Sequence, residues 1–263
     1  MSSLTHAVQD SATMLRRNLK HAVRYPSVSL GSAALPVMML LLFVYAFGDS
    51  IGAGIGGAGA GRDVYLEYLT PGVVIMGVAA GSMSTSIAVC SDMTEGIINR
   101  FRTMNITRSS FMTGHVLGSV VQTVFGVTVV VGVALAIGFR PDANVLEWLA
   151  AFGLLVAVAF ALTWLSVALG LISRTVEAAS NKPLVIQFLP FIGSAFVPAD
   201  SMSPGLRWFA EHQPFTPVTE TLRGLLTGSP VGNDAWIALA WCAVITLVGY
   251  AWSRFLFDRG TAH

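Results

Sequence analysis

One segment gathers charge and apolar side chains at regular spacing: Asp92-Met-Thr-Glu95-Gly96-Ile-Ile-Asn-Arg100-Phe101-Arg102-Thr-Met-Asn-Ile-Thr-Arg108. Glu95 and Arg102 stand two helical turns apart, and Ile98, Phe101 and Met104 recur every three residues as an apolar edge. These types in this pattern suit docking rather than catalysis. The apolar side chains can fill a groove while the charges fix the orientation. The alternative is a solvated hairpin with Phe101 turned toward a membrane.

Residues able to run acid–base, nucleophilic or metal chemistry are scattered. His6, His21, His115, His212 and His263 include no pair at the i,i+4 spacing that a helix uses to hold zinc. His212 stands beside Glu211 with no second ligand in sequence. Serines and threonines are common in the apolar stretches, yet no histidine or acid is expected at matching depth to activate one. Cys90 and Cys242 fall at different depths, which argues against a disulfide and for two small buried side chains. The run Ile51-Gly-Ala-Gly-Ile-Gly-Gly-Ala-Gly-Ala-Gly61 has no strand before it and no helix of a βαβ unit after it. It reads as a flexible linker, not as a dinucleotide fingerprint. A Gly-x-x-x-x-Gly-Lys-Ser/Thr loop is absent from the sequence, so ATP hydrolysis cannot be assigned to this chain.

The elements that must position these residues are apolar. The chain is 54% hydrophobic and 11% charged, where a soluble domain carries about 25% charged residues. The net charge of +1 gives no reason to expect nucleic acid as a partner. A spanning helix needs about twenty apolar residues. Six stretches qualify as candidate spans: Val28–Phe47, Tyr68–Val89, Met112–Phe139, Val145–Ile172, Leu184–Val197 and Ala235–Phe257. The fifth is short and interrupted by Pro190, and a broken span is tolerated only against protein or a wet cavity. None carries an acid or base in its middle, where a charge costs roughly 2.5–3.5 kcal/mol on an insertion scale. Coupling to protons or sodium is therefore not expected, and the energy for active transport must come from outside the spans.

The first stretch could pass for a signal peptide, with Ala46-Phe47-Gly48 as a small-x-small site. Its apolar run exceeds a signal core of roughly 7–15 residues, so it reads as a retained anchor. Eleven of the fifteen basic residues fall on the N-terminal side of the membrane if the N-terminus is inside; Arg62, Arg140, Arg207 and Arg223 fall outside. Both termini are therefore expected in the cytoplasm. Before the first span, Leu4, Val8, Ala12, Leu15, Leu19 and Val23 form a helical stripe, with Arg16, Arg17, Lys20 and Arg24 between them and Pro26 ending it. Such a helix lies in the inner interface. Whether it also touches a cytoplasmic partner stays open.

Within the spans, Gly77, Gly81 and Thr85 repeat every four residues, as do Gly114, Gly118, Gln122 and Gly126. Small residues at this spacing let helices approach closely, inside one subunit or between two. Ser82, Met83 and Ser86, together with Gln122, are candidates for a mildly polar, adaptable substrate wall. The alternatives are back-bonding hydroxyls and a glutamine bonded to a neighbouring helix.

Between the last two spans, Ser203-Pro204 can start a short helix with Leu206, Trp208 and Phe209. Thr216 before Pro217 reads as the start of another, with Val218, Leu222, Leu225 and Leu226 on one face and Glu220 and Arg223 opposite. Trp208, Phe209, Pro214, Pro217, Leu222 and Arg223 are thus candidate parts of a re-entrant outer gate. A plain interfacial hairpin is the alternative.

With these features the chain resembles the type-2 ABC exporter permeases, and within them the actinobacterial daunorubicin and multidrug-resistance group. The resemblance covers essentially the whole length. It rests on the span order behind a basic N-terminal helix, on Glu95-Gly96 with Arg100, Arg102 and Arg108, and on Gln213-Pro214-Phe-Thr-Pro217-Val-Thr-Glu-Thr-Leu222-Arg223-Gly-Leu-Leu. Asn105 departs from it, since many relatives place a proline there.

The resemblance implies an all-α integral membrane protein forming one domain over residues 1–263, with an interface helix at 1–26 and a six-span bundle at 28–257. It implies a permease for hydrophobic or amphipathic compounds in a bacterial cell membrane. Two copies of this chain, or this chain and a paralogue, would pair with two copies of a separate ABC ATPase that binds ATP and magnesium. Glu95, Gly96, Arg100, Phe101, Arg102 and Arg108 would form the helix seated on that ATPase. No cofactor is expected on this chain. The other classes weighed are a permease for a lipid-linked glycan or other envelope precursor, an ion-coupled carrier or channel, and an intramembrane enzyme.

Overall fold

The computed structural model describes residues 26–57, 61–94 and 108–259. Five long helices form its frame: α1 (Pro26–Gly56), α2 (Arg62–Thr94), α3 (Arg108–Ala136), α4 (Val145–Leu171) and, last in the chain, α9 (Asp234–Arg259). All five are long and apolar enough to cross a membrane. Among the described residues there is no strand.

Helix α2 is the axis of the bundle. Its buried residues fall on every side of it, as in a helix enclosed by others. It packs against α1, α3 and α4, and its fully buried residues include Tyr65, Leu66, Leu69, Val73, Ile75 and Met76. Glycine makes this packing close. A methyl group at Gly81 would lie 2.5 Å from the Thr123 hydroxyl of α3, and one at Gly170 of α4 would lie 2.7 Å from the Ser86 carbonyl. By contrast α1 and α9 are mostly exposed, with Met38, Leu42 and Tyr45 on one and Trp236, Leu247 and Val248 on the other turned outward. A bilayer, as an apolar solvent, leaves such side chains at no disadvantage.

Three of the differences from the expected boundaries bear on how the helices meet. Helix α1 continues to Gly56, so Ile51–Gly56 is helical and not linker. The reason is contact with the start of α2: a side chain at Gly48 would strike Arg62, and one at Gly52 would strike the Gly61 carbonyl. Asp49 also accepts a hydrogen bond from the Arg62 amide at 3.1 Å, closing the α1–α2 hairpin. Pro26, expected to end a preceding helix, is the first residue of α1, where its missing N–H costs nothing. The N-terminal stripe itself lies outside the described residues.

The third difference concerns the stretch at 184–197, which is not one spanning helix. The chain passes through α5 (Val176–Asn181), α6 (Leu184–Phe188) and a 3-10 turn (Leu189–Ile192), with Pro183 at one break and Pro190 at the next. This broken path nevertheless runs the length of α2 in the opposite direction. The Cys90 thiol reaches the Ser173 carbonyl at 3.5 Å and the Ser86 hydroxyl donates to the Ala179 carbonyl at 2.9 Å. At the other end Gly72 abuts Ala195, and the Tyr68 and Tyr65 hydroxyls donate to the carbonyls of Ser194 (2.8 Å) and Phe196 (3.3 Å). From Cys90 to Tyr65 α2 spans about 37 Å at the helical rise.

After that path come α7 (Pro204–His212) and α8 (Phe215–Thr227). Ser203 is the cap of α7 with Pro204 at its first position. Helix α8 begins two residues earlier than expected: Pro214 is its cap, so Thr216 lies inside the first turn. Proline is tolerated at position 217 because the first helical amides have no intrahelical partner to lose. Gly228 ends α8 in the left-handed conformation at φ 69°, where a side chain would be strained.

Candidate functional site at the α8 end of the bundle

Helix α8 closes one end of the bundle, and Arg223 is its fastening. Val218, Leu222 and Leu226 are buried against α2 and α4, with Leu225 half-buried beside them. On this apolar ground the Arg223 guanidinium lies over the Tyr68 ring at 3.8 Å from its centroid. Its nitrogens donate to the Tyr68 carbonyl at 3.1 and 3.3 Å and to the Ser194 carbonyl at 2.9 Å. A further nitrogen pairs with Glu220 at 2.6 Å. One side chain thus ties α8 to α2 and to the end of the broken path. Arg223 was expected opposite the apolar face. It is instead largely buried, because a guanidinium can stack on an aromatic ring while its edge satisfies carbonyls. Tyr68 and Ser194 are the partners that sequence reasoning missed.

Other polar atoms beneath α8 find no protein partner: the Ser194 and Thr219 hydroxyls and the Gln213 side-chain carbonyl are buried and unbonded. The amide nitrogen of Gln213 donates to the Thr216 hydroxyl at 3.3 Å. Burying such groups unpaired costs about 1–3 kcal/mol each. The seated position of α8 therefore sets the Arg223 contacts and apolar burial against an opposing polar cost.

Helix α7 is built differently. Leu206, Trp208 and Phe209 are all exposed, and Ala210 alone is buried. Trp208 stacks on His212 at 4.6 Å, and Arg207 bridges Asp200 and Glu211 at 2.6 and 2.7 Å. So among the proposed gate residues, Pro217, Leu222 and Arg223 lie in the seated helix and Pro214 caps it, while Trp208 and Phe209 face outward.

The candidate substrate wall lies toward the Thr94 end of α2. The Ser82 hydroxyl donates to the Ala79 carbonyl at 2.8 Å, and Ser84 to Gly81 at 2.7 Å. Thr85 bonds Ser119 of α3, and Ser86 holds α5 as described. Met83 and Gln122 are half-buried. None of Ser82, Met83, Ser86 and Gln122 lines the apolar cavity that lies between α2, α3 and α4 under α8.

At the same Thr94 end, Asp92 and His115 join α2 to α3 at 2.9 Å, both mostly buried. This hydrogen bond ties the bases of the two helices that flank the charged connector. Glu95, Gly96, Arg100, Phe101 and Arg102 lie outside the described residues, as does Asn105. Arg108 is the first residue of α3, with its side chain outside the description. Among the described residues, no group of three or more histidines, cysteines or carboxylates is placed to hold a metal ion.

Comparison with known proteins fits this architecture. The chain is 25% identical over 258 residues to the daunorubicin resistance ABC transporter permease protein of Streptomyces coeruleorubidus, covering 98% of this chain and 89% of that one. It is 21% identical over 228 residues to a probable doxorubicin resistance ABC transporter permease protein of Mycobacterium tuberculosis, covering 84% and 80%. The family described as ABC-2 type transporter matches residues 10–227. That match covers most of the chain, which therefore belongs to the ABC-2 type transporter family.

Proposed function

We propose that this chain is the membrane-spanning subunit of an ATP-driven exporter of hydrophobic or amphipathic drug-like compounds. The observation that carries this reading is the near full-length similarity to daunorubicin and doxorubicin resistance permeases. The charge distribution supports it. Asp49, Asp63, Glu67, Asp92, His115, Glu147, Asp234 and Arg254 all lie toward the ends of the long helices, so among the described residues the middle of those helices holds no acid, base or histidine to carry a proton or bind sodium.

In this reading the path at 173–196 is a sixth, broken crossing beside α2, and both termini are cytoplasmic in a bacterial cell membrane. The connector Glu95–Arg108 docks on a separate ABC ATPase, which binds ATP and magnesium and performs the hydrolysis. Two permease copies and two ATPases form the working unit. Helix α8, held by Arg223, is the seal on the outer side, and α7 with Trp208 and Phe209 lies in the outer interface.

The test is to tag this chain, express it in its native host and ask whether an ABC ATPase co-purifies with it. The reading predicts a stable complex whose Mg-ATP hydrolysis rises on adding an anthracycline. Failure to recover the ATPase with the permease, or hydrolysis indifferent to every amphipathic compound tried, overturns it.

A further inference from the structure

A cavity of about 170 Å³ sits between α2, α3 and α4, floored by Val74 and Val78 and roofed by Leu222 and Leu226 of α8. Its walls are almost wholly apolar. Of its two hydroxyls, that of Thr128 is tied to the Val124 carbonyl at 2.8 Å, while that of Thr123, buried beside Gly81, has no hydrogen-bond partner and is the one polar atom the occupant leaves unserved. Its exposed lining residues, Thr128 and Phe152, mark the mouth. Beyond them Phe125 of α3 and Leu149 of α4 are also exposed. The cavity thus opens through a largely apolar rim on two helices long enough to span a membrane.

Size selects the occupant. Apolar cavities of about 150 Å³ stay dry and take a single benzene-sized group. Drug-sized ligands need roughly 300–1,000 Å³. This cavity is too small for a whole polycyclic compound and large enough for the last few carbons of a hydrocarbon chain. At the face of a spanning helix the abundant source of such chains is the bilayer itself.

We propose that this cavity holds the end of a phospholipid acyl chain, which enters between α3 and α4 and packs under α8. The inference needs only that the long helices sit in a bilayer, and it stands whatever the transported compound is. It assigns lipid a structural task. The chain end supports Leu222 and Leu226 from below, on the helix that Arg223 fastens from the side.

The test uses the purified full-length chain in vesicles of phosphatidylcholine bearing a diazirine at the acyl terminus. Photolysis is followed by mapping of the labelled residues. Val74 and Val78 are each 1% exposed, so a lipid-borne carbene reaches them only through the cavity. Labelling of these two valines is the expected result. Labels confined to exposed residues such as Phe125 and Leu149 overturn the proposal.

Ala151→Phe fills the cavity from α4 and should lower the Val74 and Val78 labelling at least about fivefold, since a close-packed site cannot hold both groups. Ala150→Phe, on an exposed neighbour, should leave it unchanged. Equal labelling in the wild type and Ala151→Phe overturns the assignment. Displacement of the label by daunorubicin but not by free hexadecane would give the cavity to cargo and also refute it. Should Ala151→Phe not fold, the wild-type labelling pattern decides by itself.

Discussion

Replacing Arg223 by alanine removes three kinds of contact at once. The two carbonyls it serves belong to Tyr68 and Ser194. In a membrane-protein interior such bonds average about 0.6 kcal/mol and reach about 1.7. The guanidinium over the Tyr68 ring adds about 0.5–2 kcal/mol. The pair with Glu220, whose side chain is 34% exposed, adds about 0–1 kcal/mol. Together the loss is about 2–4 kcal/mol, or roughly a 30- to 1,000-fold shift toward an unseated α8. Because these contacts hold one short helix and not the bundle, the shift should appear as local opening. Hydrogen–deuterium exchange in lipid nanodiscs reads it directly. Amides of Val218–Leu226 should exchange faster in Arg223→Ala, while those of α3 and α4 keep their wild-type rates. Arg223→Lys keeps the charge but loses the planar fork, and should fall between. If α8 exchanges alike in wild type and Arg223→Ala, the fastening role is wrong. If the whole bundle loosens, Arg223 supports the fold and not a separable seal.

Other contacts predict smaller, distinct effects. Gly81→Ala places a methyl 2.5 Å from the Thr123 hydroxyl and should cost about 1–3 kcal/mol through overpacking. Gly132→Ala meets nothing within 4 Å and should be neutral or slightly stabilising; thermal unfolding in detergent compares the two. Tyr68→Phe removes the hydroxyl bond to Ser194 but keeps the ring under Arg223. It should raise α8 exchange by only about fivefold, from the loss of about 1 kcal/mol. Glu95→Ala and Arg102→Ala should leave folding intact yet abolish stimulation of the partner's hydrolysis by substrate. Unchanged stimulation in both would remove the connector from the coupling route.

The long apolar stretches revealed five of the helices because length and uninterrupted hydropathy are local signals. The helix ends were harder to read. Gly52 looked like linker because sequence shows its flexibility and hides the Gly61 backbone it lies against. The stretch at 184–197 carried its own warning in Pro190, but not the fact that its backbone would find partners along α2. The same limit explains Arg223. Its i,i+3 relation to Glu220 is visible in sequence, whereas the Tyr68 ring stands 155 residues away in the chain. The hydroxyls of Ser82 and Ser84 show the converse case. A polar run suggests a wall for substrate, while their nearest acceptors are carbonyls of their own helix.

Reconstitution decides whether the energy for transport enters from a separate ATPase or through the spans. Vesicles containing this chain alone, and vesicles containing it with the co-purified ABC ATPase, are incubated with a fluorescent anthracycline and its uptake is followed. Accumulation against a gradient only in the second set, and only with Mg-ATP, is the expected result. Uphill transport by the chain alone, driven by a proton or sodium gradient, would show instead that the energy enters through the spans.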